Sequence, residues 1–380
     1  MSAPEPFKVV IAGGGVAALE AALALRELAG DRVSITLVAP NAEFSYRPLS
    51  VREPFAYAKA SQYPIAALAT EVGAELVSDE FAWVDAAAQI IHTASAATVA
   101  YDALLLALGA RASEAFSHVL TIDDRRMDAQ LHGLIQDIEE GYVHSVAFLA
   151  PARLAWPLPL YELALMTAAR AYDMDVEVAL TIVTAEEAPL AVFGPEASAA
   201  VAELLSDAGI RTLTLARAQV PETGRVVVQP GELALDVDRI VALPELFGPA
   251  VRGLPAGEHG FIPVDRFSKV RGVERVWAAG DATDFAVKHG GVAAQQADTA
   301  AASIAALAGA SLTPEPFHPE IHGMLLTGRR PRYLSARLTG DRGFSSQLTE
   351  QPTWEPVVKI SARYLAPYLA RSTPDVAPAE

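Results

Sequence analysis

FKVVIAGGGVAALEAALALRELA, residues 7–29, decides the fold of this chain. Residues 7–12 form a short apolar run rich in β-forming residues, and the Ala, Leu and Glu content of residues 16–29 favours a helix. The strand-like run DRVSITLVAP, residues 31–40, completes a βαβ unit whose glycines lie at the first turn. This arrangement predicts an α/β fold that contains a Rossmann-like unit.

The glycine turn fits the pattern G-x-G-x-x-[GA]. Its first glycine permits a tight turn, its second lets the backbone approach a pyrophosphate, and its final Ala allows close packing of helix on strand. The start of the helix then presents free N–H groups and a partial positive charge to the phosphates. We therefore predict dinucleotide binding, against the alternative of a glycine turn without a ligand, with contacts from Gly13, Gly15, Val16, Ala17 and Ala18.

The second strand lacks the acidic residue that holds the adenosine ribose in such folds. It ends in Ala39 and Pro40, so Asn41 or Glu43 would have to substitute. Loss of one such hydrogen bond costs about 0.5–1.5 kcal/mol, which is too little to abolish binding of a ligand with two charged phosphates. The prediction of a dinucleotide site stands, with Asn41 as the candidate ribose contact.

Composition and charge exclude several classes of function. A formal net charge of −17 argues against nucleic acid as a partner, since phosphate binding needs a basic surface. The chain has no cysteine, which excludes disulfides, thiolate catalysis and cysteine-ligated metals, and its eight histidines show no ligand-like spacing. We expect no metal. With no signal peptide or spanning apolar stretch visible, we expect a cytoplasmic protein with at most peripheral membrane contact.

Two later segments indicate which dinucleotide is bound. YDALLLALGAR, residues 101–111, resembles the Y-D-x-L-x-x-A-T-G-A segment of flavoproteins with two dinucleotide domains, with Leu108 in place of the Thr. VERVWAAGDATDF, residues 273–285, resembles their second FAD signature, in which the Asp, here Asp281, binds the ribityl chain. With the glycine turn, these motifs occur in the order typical of the pyridine nucleotide-disulfide oxidoreductase superfamily. The resemblance implies that FAD occupies the first site.

Within that superfamily the chain resembles one group most. PNAEFSYRPL, residues 40–49, and VKHGGVAAQQAD, residues 287–298, are similar to segments of sulfide:quinone oxidoreductase, flavocytochrome c sulfide dehydrogenase and type II NADH dehydrogenase. The FAD contacts that this resemblance implies are Arg47, Pro48, Phe81, Ala107, Leu108, Gly109, Gly280, Asp281, Lys288, His289 and Gly290.

The resemblance also implies the domain organisation. We expect two Rossmann-like, three-layer ββα dinucleotide-binding domains, of which the FAD domain is discontinuous, and a small C-terminal region that closes over the flavin. The expected boundaries are 1–113 and 255–312 for the FAD domain, 114–254 for the inserted second domain and 313–380 for the C-terminal region.

LAPARLAWPLPLYELALM, residues 149–166, departs from the pattern of an NADH-using relative. Such a relative carries a second G-x-G-x-x-G at this point, between a strand and a helix. Here residues 151–159, which we call the proline junction, contain three prolines, a Trp and no glycine. Proline has no N–H to offer a phosphate, and large side chains block the approach of the backbone, so a pyrophosphate nest cannot form. We predict a poor nicotinamide site.

Two residues at this junction are candidate catalytic groups. The sulfide-oxidising relatives have roughly C-P-P-G-P-Y-E here, and Trp156 falls at the position of their redox cysteine. Trp156 is either a core aromatic at the domain interface or a wall of the flavin pocket that stacks a flat substrate such as a quinone. Glu162 is either a carboxylate favoured by the helix dipole or a proton relay beside the flavin.

Three further candidates are cationic or titratable residues. Arg47 either lies near the isoalloxazine edge or forms a surface ion pair. Lys288, the third candidate catalytic group, precedes the helix expected to face the flavin, where a cation would stabilise the anionic reduced flavin. We expect His289, beside it, to be structural.

The segment from Val357 to Leu369 repeats apolar residues at helical spacing and carries positive charge. In the resembled quinone reductases such a segment touches the membrane. Pro367 interrupts it, and its apolar face would equally dock on the FAD domain, which is the outcome we expect.

The expected function is an FAD-dependent oxidoreductase that passes electrons through the flavin to or from a quinone-like or protein acceptor, without thiol or disulfide chemistry. Two alternatives stay open. One is an NAD(P)H-dependent flavin reductase with an atypical nicotinamide site, and the other is an FAD-binding partner or sensor protein without catalysis. The oligomeric state is left open.

Overall fold

The computed structural model describes residues 5–56, 60–339 and 343–372. The elements of residues 5–106 are β1 (Phe7–Ala12), α1 (Val16–Ala29), β2 (Val33–Val38), β3 (Glu43–Tyr46), β4 (Ser61–Pro64), α2 (Ile65–Glu71), β5 (Glu75–Val77), β6 (Phe81–Asp85), β7 (Ile90–Thr93), β8 (Thr98–Ala100) and β9 (Ala103–Leu106). A 3-10 helix over Arg47–Phe55 connects β3 to β4.

The elements that follow, up to residue 247, are β10 (Arg111–Ser113), β11 (Leu120–Thr121), α3 (Met127–Glu139), β12 (Ser145–Leu149), α4 (Leu158–Asp173), β13 (Ala179–Val183), α5 (Pro195–Asp207), β14 (Arg211–Leu213), β15 (Arg217–Glu222), β16 (Arg225–Gln229), β17 (Leu233–Asp236), β18 (Arg239–Ala242) and β19 (Glu245–Phe247). The last elements are β20 (Val276–Ala278), α6 (Gly290–Leu307), β21 (Glu320–Leu325), β22 (Arg332–Thr339), β23 (Gly343–Thr349) and α7 (Leu365–Ser372).

A five-stranded parallel sheet in the order β20-β9-β1-β2-β5 forms the first unit. The helices α1 and α6 pack on one face of this sheet through a core that is rich in Ala, and the antiparallel β6-β7-β8 sheet lies on the other face. Strand β20 comes from beyond the second unit in sequence, so the first unit is discontinuous, as predicted.

A second five-stranded parallel sheet, in the order β11-β18-β12-β13-β14, lies between β9 and β20 along the chain. The helices α3, α4 and α5 bury their apolar faces in its core, and the antiparallel β15-β16-β17 sheet packs on its other face. The predicted pair of Rossmann-like units is therefore confirmed.

The C-terminal region adds the antiparallel sheet β21-β22-β23 and the helix α7. The apolar side chains of α7 lie in the same core as α1, so the segment docks on the first unit. Of the amphipathic segment predicted from Val357 to Leu369, only the part from Leu365 onward is helical, as α7. Before Leu365, the backbone N–H of Ile360 donates to the Tyr46 hydroxyl and not to a carbonyl one turn earlier, as it would in a helix.

Within the described ranges, no helix combines the length and the apolar character that crossing a membrane requires.

Candidate functional site

Three loops meet at the carboxyl edge of the first sheet, after β1, β9 and β20. The N–H of Gly13 donates to the Val38 carbonyl at 2.8 Å, and the N–H of Ala107 donates to the Ala12 carbonyl at 2.8 Å. Ligands of open parallel sheets bind outside this edge. The structure therefore brings together the loops that carry the predicted glycine turn, residues 107–109 and Asp281.

Gly13 and Gly15 have different roles in the turn: the first allows close packing, and the second leaves open space. At Gly13, where φ is +132°, an added β-carbon would lie 2.2 Å from the Ala107 carbonyl oxygen, so only glycine fits. At Gly15, the residue that precedes α1, an added β-carbon would meet nothing within 4 Å. Gly109, with φ of +70°, also faces open space. The start of α1 thus opens onto room for a phosphate group.

Gly280 brings the starts of α1 and α6 together. An added β-carbon there would lie 3.2 Å from the Ala293 β-carbon and 3.3 Å from the Ala17 β-carbon. Its N–H donates to the side-chain oxygen of Gln296 at 2.8 Å, which fixes the loop against α6. The next residue, Asp281, therefore lies beside the positive ends of both helix dipoles.

The Asp281 carboxylate is half-buried, and no described residue donates a hydrogen bond to it. Burial raises its pKa to about 6, and nearby Asp124 adds to the shift while Lys288 opposes it. A carboxylate withdrawn from water without a donor is unfavourable, so a ligand hydroxyl at this place would be stabilising. An orphaned acceptor of this kind fits the ribityl chain of FAD.

Lys288 is buried between the loop of Asp281 and the proline junction. Its Nζ donates to the Thr283 carbonyl and lies 3.9 Å from the centre of the Phe261 ring. Burial lowers its pKa to about 8, opposed by Asp281 and Asp284. Its backbone N–H donates to the Ala155 carbonyl at 3.2 Å, which ties the junction to the start of α6.

Trp156 packs against His289, with ring centres 4.4 Å apart, and against Phe193 at 5.7 Å. His289 is buried immediately before α6, and burial lowers its pKa to about 3, so its imidazole is neutral at physiological pH. Among the described residues its Nδ1 has no hydrogen-bond partner. The half-buried Trp156 thus lies at the interface of the two units, beside the helix start expected to face the flavin.

Glu162 forms a completely buried ion pair with Lys359, whose Nζ is 2.7 Å away. The Leu326 N–H donates to the same carboxylate at 3.0 Å, and the Lys359 Nζ also donates to the Pro48 carbonyl at 2.9 Å. Burial raises the pKa of Glu162 and lowers that of Lys359, while their mutual attraction opposes both shifts. Both units and the C-terminal region meet at this pair.

The remaining candidates are Arg47, Asn41, Phe81 and Leu108. Arg47 pairs with Asp124 across the two units, with Nη1 and Oδ1 3.3 Å apart, which is the ion-pair alternative. Asn41 is exposed after the end of β2. Phe81 and Leu108 pack on the core at the face of the first sheet opposite α1.

The second unit carries an acid that the sequence reading missed. Glu186 follows β13, where a Rossmann fold holds the adenosine ribose. Its carboxylate accepts hydrogen bonds from the Tyr161 hydroxyl at 2.7 Å, from Thr184 Oγ1 at 3.0 Å and from the Ala191 N–H at 3.2 Å. This acid is satisfied within the protein and is not offered to a ribose.

A cleft of about 170 Å³ runs beside the proline junction. Arg153 at its edge pairs with Glu245 at 2.7 Å. The lining of the cleft includes the apolar side chains of Leu154, Phe261 and Phe285 and the cationic side chains of Arg153 and Lys288.

Residues 7–132 and 162–301 match the family model for pyridine nucleotide-disulphide oxidoreductases. The chain belongs to this family. Its members are FAD-dependent oxidoreductases. The unmatched residues 133–161 include β12 and the proline junction, and with no cysteine the chain performs no thiol or disulfide chemistry.

Solved structures share the fold at low sequence identity. Sulfide:quinone oxidoreductase from Aquifex aeolicus gives a TM-score of 0.82 at 18% identity, over 90% of this chain and 87% of that one. A ferredoxin reductase from Rhodopseudomonas palustris gives 0.67 at 22% identity, over 90% and 88%. NDH2 from Plasmodium falciparum gives 0.59 at 14% identity, over 73% and 64%.

Proposed function

We propose that this flavin oxidoreductase binds FAD at the carboxyl edge of the first sheet and exchanges electrons with a quinone-like or protein acceptor. The unpartnered Asp281 carboxylate, beside the starts of α1 and α6, carries the proposal. The turn at Gly13 and Gly15 would hold the pyrophosphate, Asp281 the ribityl chain, and the start of α6 the isoalloxazine. FAD supplies the electron-carrying chemistry when it is bound. We take the unit boundaries to be 1–113 with 255–312, 114–254 and 313–380.

The chain's own residues would act on charge and on protons. Lys288, placed before α6, would oppose the negative charge of a reduced flavin. Burial raises the pKa of Glu162 and lowers that of Lys359, and the pair, joined by a 2.7 Å hydrogen bond, would serve as the proton relay. Trp156 would form an aromatic wall for a flat acceptor.

Three features oppose a nicotinamide cofactor in the second unit. The proline junction offers few N–H groups to a pyrophosphate, and Glu186 is occupied by Tyr161. The neighbouring cleft, about 170 Å³, is smaller than the roughly 300–1,000 Å³ of typical ligand pockets. A single planar ring suits this cleft better than a dinucleotide.

The structural neighbours suggest two classes of acceptor. The Aquifex protein is a sulfide:quinone oxidoreductase, and the Rhodopseudomonas protein is a ferredoxin reductase. We favour the quinone-like class because Phe261 and Phe285 line the cleft.

The test begins with cofactor released from purified protein by acid, which should run as FAD on chromatography. Anaerobic stopped-flow mixing with NADH and NADPH should reduce the flavin slowly, whereas photoreduced protein should pass electrons rapidly to a water-soluble benzoquinone. Fast, saturable bleaching at micromolar NADH would support the nicotinamide alternative instead. Failure of every donor and acceptor would favour the sensor alternative, and failure to bind FAD would refute the proposal.

Trp156→Ala and Tyr161→Phe test whether one side chain alone prevents NADH from reducing the flavin. Trp156→Ala removes the bulk from the junction but leaves its prolines, and Tyr161→Phe removes one of the two hydroxyl donors to the same oxygen of Glu186. Neither variant should gain rapid reduction by NADH, because the three prolines of the junction still deny the phosphate their N–H groups.

A further inference from the structure

A cavity of about 450 Å³ lies at the edge of the second unit, between α5 and β14. Its volume falls within the roughly 300–1,000 Å³ of typical ligand pockets, unlike that of the cleft beside the proline junction. The function proposed above does not use this cavity. We call it the edge cavity, and its lining includes Pro189, Ala202, Ser206, Arg211, Thr212 and Thr214.

The strand β14 leaves one edge of the second sheet open beside the cavity. In the part of the chain that the structure describes, β14 ends the sheet and pairs with β13 alone. The Thr184 N–H donates to the Leu213 carbonyl at 2.9 Å, so Leu213 turns its backbone groups toward β13. Because backbone groups alternate in direction along a strand, the N–H groups of Thr212 and Thr214 face the open edge. The Thr212 carbonyl faces the same way, so a ligand here needs a hydroxyl group as well as acceptor oxygens.

Thr212 and Thr214 also turn their side chains toward α5. Leu213, between them, packs toward the β15-β16-β17 sheet on the other face, and side chains alternate between the faces of a sheet. The Oγ1 of Thr212 is buried and has no hydrogen-bond partner among the described residues. A rotation about χ1 would turn this hydroxyl toward a ligand in the cavity, and a buried hydroxyl that gains a partner is stabilised.

Arg211 supplies positive charge to the edge cavity. It is exposed, and among the described residues no carboxylate pairs with it. None of the residues that line the cavity is acidic, and the neighbouring Glu203 and Asp207 of α5 are exposed to water outside the lining. Charges in water are screened over roughly 8 Å at physiological ionic strength, so the net charge of −17 does not prevent an anion from binding at Arg211.

We propose that the edge cavity binds a small phosphate monoester that also carries hydroxyl groups, such as a polyol phosphate or a nucleoside monophosphate. The planar guanidinium of Arg211 matches two phosphate oxygens, and the hydroxyl groups of the lining donate to the same oxygens. The Thr212 carbonyl accepts from a ligand hydroxyl at the open edge. The rest of the ligand lies against Pro189 and Ala202.

Isothermal titration calorimetry of the purified full chain, at constant ionic strength, tests this proposal. The probes are glycerol 3-phosphate and AMP, which represent the two sources of the phosphate group, with glycerol and adenosine as their uncharged counterparts. We expect at least one monoester to bind with one site per chain and more tightly than its uncharged counterpart. The stronger of the two monoesters identifies the source.

Three variants assign the binding to the edge cavity. Arg211→Gln removes the charged donor, so the affinity should fall about 10- to 150-fold. Thr212→Val keeps the shape but removes the hydroxyl, and the affinity should fall about 2- to 10-fold. Arg217→Gln makes the same change of charge at an exposed residue of β15, on the sheet that packs on the other face, and it should bind as the wild type does.

Failure of both monoesters to bind would overturn the proposal, as would an Arg211→Gln variant with wild-type affinity. Hydrogen exchange of the wild type provides a second measurement that needs no variant. Addition of the monoester should slow exchange in peptides within residues 206–214, whereas slowing at residues 13–18 instead would place the ligand in the candidate flavin site and refute the proposal. Neither measurement involves electron transfer, so the outcome is separable from the proposed function.

Discussion

Between β1 and α1 the chain turns on three residues, 13–15, whereas between β12 and α4 it takes eight, 150–157. The first connection is made of glycines and opens onto free space at Gly15. The second contains Pro151 and Pro157, and its Trp156 packs onto the start of α6. Both connections nevertheless join a central strand of a five-stranded parallel sheet to the helix that follows it.

The two units also differ where the ribose of a dinucleotide would bind. After β2 the chain offers the exposed Asn41 and, two residues later, the exposed Glu43, while after β13 it offers Glu186, already bonded to Tyr161. An acid in the expected place is therefore no sign of a ribose site unless its oxygens are free. The apolar pattern sets strand order and helix packing, and a few turn residues decide whether a ligand fits.

The two units resemble each other in a completely buried glutamate, Glu20 of α1 and Glu162 of α4, each the fifth residue of its helix. The substitution with the largest expected effect is Lys359→Met, which removes the partner of Glu162. Removing Nζ leaves Glu162 buried and unpaired, so the free energy of unfolding should fall by about 3–5 kcal/mol. Urea denaturation followed by tryptophan fluorescence measures this change. Adding Glu162→Gln should recover most of the loss, and an unaltered stability in Lys359→Met alone would show that the pair is not buried as described.

Gly13→Ala tests the glycine turn after β1, which the second unit lacks. The new β-carbon would lie 2.2 Å from the Ala107 carbonyl oxygen in a left-handed backbone, and such strain is on the order of 3 kcal/mol. We expect FAD affinity, measured by titration of the apoprotein, to fall roughly 100-fold. Gly30→Ala also places a β-carbon on a backbone with positive φ, but in open space at the end of α1, so it should lower stability and leave FAD affinity unchanged. Equal losses of affinity in both variants would contradict the assignment of the turn.

Asp281→Ala has the smallest expected effect. Loss of one charged acceptor should weaken FAD binding by about 1.5–3 kcal/mol, roughly 10- to 150-fold. Because the pKa of Asp281 is raised to about 6, wild-type affinity should increase as the pH rises through 6, whereas the variant should not respond. Asp284→Ala is the control, since Asp284 is exposed and accepts a hydrogen bond from the Val264 N–H. Identical pH dependence in Asp281→Ala would assign the titration to another group.

Local patterns in the sequence predicted the fold and the meeting of three candidate loops at one edge of the first sheet. The first strand spans residues 7–12 as predicted, and the loops of Gly13, Gly109 and Asp281 meet at one edge because parallel strands bring their carboxyl ends together. The partner of Glu162 was missed because Lys359 lies 197 residues away and resembles an exposed charge on an amphipathic helix. Aligning LEAALAL, residues 19–25, with YELALMT, residues 161–167, would have paired Glu20 with Glu162.

The two buried glutamates link folding of the chain to the order of its synthesis. A ribosome makes α1 and α4 before residues 326–365, which supply the N–H groups and the ammonium that these carboxylates bind. Until that later stretch emerges, α1 and α4 must each keep the glutamate in water or protonate it, and neither state has the final packing. The partners of both glutamates are therefore complete only after residues 326–365 have left the ribosome.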